Sequence, residues 1–359
     1  STYRPKTDAP ALAYYDLVFA ARRVTCPVAI EFAGMGDYVS PPSSLTALYN
    51  ALPVPKRITY VQGSTHGWRP KGEQTFTVDG GYDRAVKGQR ACLDPIAFIT
   101  DALARGERRV TLPKAEYWLT PAFGQTAYLR LKGVRDAVID FGGSKFVGTV
   151  KTRMVDLQDC ARVTLKNLTI DYADLPFTQA VITKADADGT WDVKVIDGYP
   201  VPEADCSPWP IQAYGQEDWE LKNPMRLWNG VRIEKTGVDT FRISGGSNRR
   251  GDVGDVAVWS VKETGRPTEV SAIKSLRCSE CRFEDITEYA TPHGCAYEDY
   301  FGDANTYLRC RIVRCPPEED LFPRGLKRLR SGNHDANMHR GAVRGPRILD
   351  CEAKYHCDD

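Results

Sequence analysis

Two short stretches, VRDAVIDF from Val134 and CARVTLKNL from Cys160, align at an offset of 26 residues, with Ala137 over Val163 and Ile139 over Leu165. Both alternate apolar and polar residues, the period of a strand with one buried face. Cysteine-started stretches at Cys281, Cys310 and Cys351 continue the theme with insertions. Self-similarity at this period, made of strands and turns, predicts a solenoid in which each coil buries its inner residues on the coil below. Mainly β structure is therefore expected over most of the chain.

The organisation before residue 85 differs. CPVAIEFAG (Cys26 to Gly34) is a continuous apolar run typical of a buried parallel strand, SSLTALYNAL an amphipathic helix, and KRITYVQG the next strand. That is one α/β unit. DPIAFITDALARG then predicts a helix with Asp94 as N-cap, Pro95 at the first helical position and Gly106 as terminator. The helix either closes the α/β unit or caps the first coil; a single helix does not readily do both. FTQAVITKADADGTWDVKVIDGYP reads as a hairpin turning near Asp188 and Gly189, within an inserted β subdomain. Trp209, Trp219 and Trp228 of that insertion suit either stacking on a sugar or core packing. The expected domains are 1–85 and 86–359, with the insertion at about 175–270.

Composition narrows the function classes. A chain of 359 residues with 42% hydrophobic residues can supply two sizeable cores. Lys+Arg 48 against Asp+Glu 47 leaves a net charge of +1 with no basic run, which argues against nucleic acid and for a neutral substrate. No apolar run is long enough to span a membrane as a helix, and the opening STYRPKTDAP lacks the apolar core of a signal peptide. The eleven cysteines are odd in number and scattered, so they are expected as buried, reduced thiols. The lone CxxC at Cys278 and Cys281 lacks a suitably spaced second pair for zinc, and neither metal nor other cofactor is expected. Without an initiator Met, and with a polar motif at its last residues, the sequence is expected to be a piece of a longer protein.

In FAGMGDYVSPPSS, Asp37 follows an apolar strand; in VQGSTHGW, His66 follows the next one. Loops beyond the carboxyl ends of parallel strands form one rim, where an Asp can orient an imidazole that activates a nucleophile. No GxSxG occurs in the sequence. Around GDYVSPPSS and YNAL, over about residues 10 to 68, the chain resembles the last third of acetyl xylan esterases of the α/β-hydrolase fold. That resemblance implies Asp37 as triad acid and His66 as triad base. The departure is the missing nucleophile, so this half-site is not expected to hydrolyse esters.

The closing stretch NHDANMHRGAVRGPRILDCEAKYHCDD sets Asp335 23 residues before Asp358, which adjoins Asp359. That is about one coil, and neighbouring strands lie about 4.8 Å apart. Carboxylates so placed suit glycoside hydrolysis, one protonated to serve the leaving oxygen and another activating water. Aspartates that merely end coils in turns are the competing explanation. RRVTLPKAEYWL, VTLKNLTIDYADLPFTQAVIT, NTYLRCRI and the closing stretch, over about residues 92 to 359, resemble right-handed parallel β-helix proteins of the pectate-lyase-like superfamily. An HDA-type Asp followed one coil later by DD is similar to inverting α-1,3-galactosidases and, more distantly, polygalacturonases.

The second resemblance implies catalytic Asp335, Asp358 and Asp359, with acid and base unassigned. His334, His339 and Arg340 flank them, to bind substrate hydroxyls, tune the carboxylates or serve structurally, and Glu298 and Asp299 are further candidates one coil earlier. It implies a polysaccharide or oligosaccharide substrate and an extracellular or periplasmic location. Two other classes stay open: a polysaccharide lyase with a Lys or Arg base, and a glycan-binding or structural β-helix without catalysis.

Overall fold

A computed structural model describes residues 21, 24, 26–37, 40–65, 74–82, 93–121, 125–202, 211–222, 231–245, 251–261, 270–292, 294–333 and 335–355. The protein is mainly β, with parallel sheets. It divides into two compact units, Ser1–Cys92 with Trp118–Thr120, and Leu93–Tyr117 with Pro121–Asp359.

In the first unit the strands Val28–Gly34 and Lys56–Val61 pair in parallel, joined through the helix Pro42–Ala51. Tyr49 of the helix packs on Ala33 and Ile58, one from each strand, so the expected α/β unit has its own core. A third strand, Thr75–Gly80, adds antiparallel to the second.

The second unit opens with the helix Pro95–Ala104. Asp94 Oδ1 accepts from the backbone N–H groups of Ile96 (2.9 Å) and Ala97 (3.1 Å), as an N-cap should. Gly106, at φ +86°, ends it. Of the two placements open to this helix, the structure groups it with the second unit.

Beyond the helix the chain visits parallel ladders in turn. The first ladder holds Ala127–Lys132, Arg153–Gln158, Ile273–Leu276, Tyr297–Tyr300 and Asn337–Arg340. The second holds Arg109–Thr111, Arg135–Gly148, Ala161–Tyr172, Arg282–Glu288, Thr306–Leu308 and Arg347–Leu349. After a register shift at Asp140/Ser144 the longer strands continue as a third ladder, extended by Arg311–Ile312 and Glu352–Ala353. The two aligned stretches are in register as spaced, with Ala137 opposite Val163 and Ile139 opposite Leu165.

Left-handed residues mark the corners. Between the first and second ladders they recur in pairs three apart: Gly133 and Asp136, Asp159 and Arg162, Arg277 and Glu280, Phe301 and Ala304. Between the second and third stand Gly142, Asn167, Asp285, Arg309 and Asp350. A left-handed residue bends the strand within about one residue, and each non-glycine there costs about 1–2 kcal/mol that the stacked ladders must offset.

The insertion is a six-stranded antiparallel sheet with Gln212–Tyr214, Val256–Ser260, Phe177–Ala185, Trp191–Val195, Thr240–Ser244 and Arg232–Lys235 in spatial order. Its first hairpin turns at Gly189, φ +81°, closed by the Asp186 N–H donating to the Thr190 carbonyl at 2.8 Å. Fully buried Trp191, Trp259 and Phe241 make its core. Trp219 is half-buried, while Trp209 and Trp228 lie outside the described residues.

All eight described cysteines are free thiols. Six of them, Cys160, Cys278, Cys281, Cys295, Cys310 and Cys315, are buried, while Cys26 is exposed and Cys351 half-buried. Several lean on the neighbouring strand, the Cys310 thiol donating to the Phe283 carbonyl at 3.4 Å and Cys160 to Leu131 at 3.5 Å. Burial pushes the Cys310 thiol up to about 12, which suits inert packing.

Candidate functional site

Parallel register sets Ser275, Asp299 and His339 side by side on three neighbouring strands of the first ladder. Because side chains alternate along a strand, Asp299 shares the inward face with Tyr297, whose ring packs on Phe283 and Tyr307. Asp299 is 2% exposed. Its Oδ1 accepts from Ser275 Oγ at 3.0 Å, its Oδ2 accepts from Asn305 Nδ2 at 3.0 Å, and His339 Nδ1 stands 3.7 Å from Oδ2. Gly302 makes room, since a Cβ there would collide with the carboxylate. Burial opposes ionisation of Asp299, but the neighbouring His339 imidazole and the hydrogen bonds from Asn305 and Ser275 outweigh it and hold the carboxyl below the usual range. An ionised carboxylate so engaged is a poor proton shuttle and a good anchor for an imidazole, which also meets the Tyr307 ring edge-on at 5.4 Å.

Glu298 points the other way. It is 4% exposed, its Oε2 taking the Ser271 hydroxyl at 3.0 Å and the Arg153 guanidinium at 3.5 Å. Glu298 and Asp299 therefore do not face one cleft. Arg340 is exposed on the face opposite His339, its guanidinium 5.8 Å from the centre of the Tyr300 ring. Asp335 leads into the strand Asn337–Arg340; its carbonyl accepts from Ala296 N, and its Oδ2 lies 3.9 Å from Cys295 Sγ. His334, Asp358 and Asp359 lie outside the described residues, as does His66.

In the first unit, Asp37 is buried in the turn after Val28–Gly34, where its Oδ1 accepts from Ser40 N at 2.9 Å. The turns after the two parallel strands are joined, with Met35 N donating to Val61 O and Gly36 N to Ser64 O. The Asp37 turn thus adjoins the stretch leading into His66. A cleft of about 790 Å³ opens in the same unit, its walls including Met35, Ser43, Thr46, Tyr60, Gln62 and Phe76.

A polar clamp around Arg328–Asn333 escaped the sequence reading. Arg328, fully buried, holds Asp171 through two hydrogen bonds (2.7 and 3.1 Å) and Asp320 through two more (2.7 and 3.0 Å). Gln179 Oε1 accepts from Leu329 N. Arg330, also fully buried, donates to Gln212 Oε1 at 2.9 Å, to the Val258 carbonyl at 3.1 Å and to Asn333 Oδ1 at 3.0 Å. Asn333 Nδ2 donates to the Pro176 carbonyl at 2.8 Å and to Ser260 Oγ at 3.1 Å. Ser331 bonds on the other side, its N–H to the Tyr355 carbonyl and its hydroxyl to that of Lys354. Arg314 stacks 3.4 Å above the Tyr355 ring. LKRLRSGN reads locally as a solvated basic loop; the only hint was the alternation of Arg328 and Arg330 about Leu329.

Compared with known proteins, the chain matches no family model and no curated protein. Among the described residues, no group of three or more His, Cys, Asp or Glu is gathered as for a metal ion, and no helix is long and apolar enough to cross a membrane.

Proposed function

We propose that the second unit is a right-handed parallel β-helix that hydrolyses a glycosidic bond with the carboxylates Asp335, Asp358 and Asp359. In this reading the ladders are the faces of successive coils and the antiparallel sheet is an insertion between two of them. One observation carries it furthest: Ser331 is hydrogen-bonded to Lys354 and Tyr355, so the stretches leading into Asp335 and into Asp358 start side by side.

One protonated carboxyl gives its proton to the leaving oxygen. A second takes a proton from water, which attacks the anomeric carbon from the opposite face, so the configuration inverts. Exposed Arg340 suits a contact to sugar hydroxyls, while His339, held beside Asp299, suits an oriented imidazole. The near-zero net charge favours a neutral oligosaccharide or polysaccharide. Asp37 and His66 are, in the same reading, the acid and base positions of an esterase-like site in the first unit.

The test is turnover of aryl glycosides and a polysaccharide panel, with the product anomer read by NMR. Replacing Asp335 or Asp358 by Asn is expected to lower kcat by about 10²–10⁴-fold. Undiminished hydrolysis in both variants would falsify the assignment. An unsaturated product absorbing in the ultraviolet would identify a lyase, and glycan binding without turnover a non-catalytic β-helix.

A further inference from the structure

The clamp around Arg330 joins parts of the second unit that are far apart in sequence. Gln212, Val258 and Ser260 belong to the inserted sheet, and they hold Arg330 and Asn333 from one side. Lys354 and Tyr355 hold Ser331 from the other. The Arg330 and Asn333 side chains are buried, and Asn333 stands two residues before Asp335. A planar guanidinium with several fixed acceptors has little freedom to rotate, so the loop it grips inherits the orientation of the sheet.

We infer that Arg330 is a positioning residue through which the inserted sheet, acting by way of Asn333, sets the loop that carries Asp335. The inference rests on the reading of Asp335 as a glycosidase carboxylate for its functional meaning, and on the hydrogen bonds alone for its geometry. The insertion is then part of the site's scaffold, and the bonds from Ser331 extend the same scaffold to Lys354 and Tyr355.

The experiment compares the full chain with Asn333→Ser and Arg330→Lys, which break the grip, and with Gln212→Glu, which keeps an acceptor for the guanidinium. In the first two, amide exchange over residues 331–336 is expected to rise by about tenfold or more, and the Asp335 amide resonance to shift. Exchange in the strand Ile273–Leu276 stays as in the parent, and Gln212→Glu keeps the parent behaviour throughout. A folded Asn333→Ser chain with parental exchange and an unmoved Asp335 resonance overturns the inference. Should Arg330→Lys fail to fold, Ser260→Ala, which removes one hydroxyl from the Asn333 side, decides the question in its place. Hydrolysis by Asp335→Asn separates this inference from the functional reading. Unchanged hydrolysis there beside a loosened loop in Asn333→Ser removes the glycosidase and leaves the positioning; lost hydrolysis beside a parental loop does the reverse.

Discussion

Glu288 faces inward on its strand, fully buried, with Ile170 and Ile312 at the matching positions of the neighbouring strands. Burial pushes its carboxyl up to about 8, and the Tyr297 hydroxyl offsets only part of that. The folded protein therefore keeps a proton that the unfolded chain releases near the ordinary glutamate value of 4.5. Stability from this group is complete below that value, declines at about 1.4 kcal/mol per pH unit as pH rises, and levels off once the folded value is passed. Denaturant titrations across that window are expected to show the decline, and Glu288→Gln to flatten it; an equal slope in both proteins would refute the assignment. Asp171 shows the opposite sign, since burial disfavours its charge but Arg328 and Lys145 hold its carboxyl below the usual range. Arg328→Met leaves the buried Asp171 carboxylate with Lys145, 3.3 Å away, as its remaining cation, and is expected to cost about 3 kcal/mol in chemical unfolding. Replacing Asp171 by Leu in the same chain should recover part of the loss, because the buried carboxylate is gone while Lys145 keeps its hydrogen bond to the Glu319 carbonyl.

At the scale of elements, the corners decide which strands can form. Gly133 and Gly142 both sit at φ +65°, yet a Cβ on Gly133 would meet nothing within 4 Å, whereas one on Gly142 would strike the Leu112 carbonyl oxygen. Gly133→Ala is therefore expected to cost only the left-handed penalty of about 1–2 kcal/mol. Gly142→Ala should cost distinctly more, because backbone cannot move aside as a flexible side chain can. Equal losses in thermal unfolding would show that the corner, not the close approach, dominates. Ion pairs stand beside several corners and bridge adjacent strands, Asp136 to Arg162, Asp159 to Arg277, Asp285 to Arg309 and Asp303 to Arg344. Exposed as they are, they add little stability each, and they favour the native register because a slip separates the pairs.

For the whole molecule, two compact units with separate cores predict two heat-absorption transitions. Asp94→Ala removes the cap of a helix in the second unit, and about 1 kcal/mol of stability with it. Calorimetry should show only one transition moving; a shift of both would mean that the units unfold together.

The strand periodicity, the in-register pair at Ala137 and Val163, the capped helix and the buried thiols were legible in the sequence, because each follows from neighbouring residues and the period of two. The order of strands in the inserted sheet, the antiparallel third strand of the first unit and the seating of Asp299 between Ser275 and His339 were decided by pairing over long separations. The clamp of Arg328 and Arg330 is the clearest case: its partners Asp171, Gln179, Gln212 and Val258 lie far upstream, and beyond the alternation of the two arginines LKRLRSGN carries no sign that the loop is buried. Local sequence determines which faces are apolar and where the chain turns, whereas the satisfaction of a buried charge depends on which distant groups the tertiary fold brings within hydrogen-bonding distance.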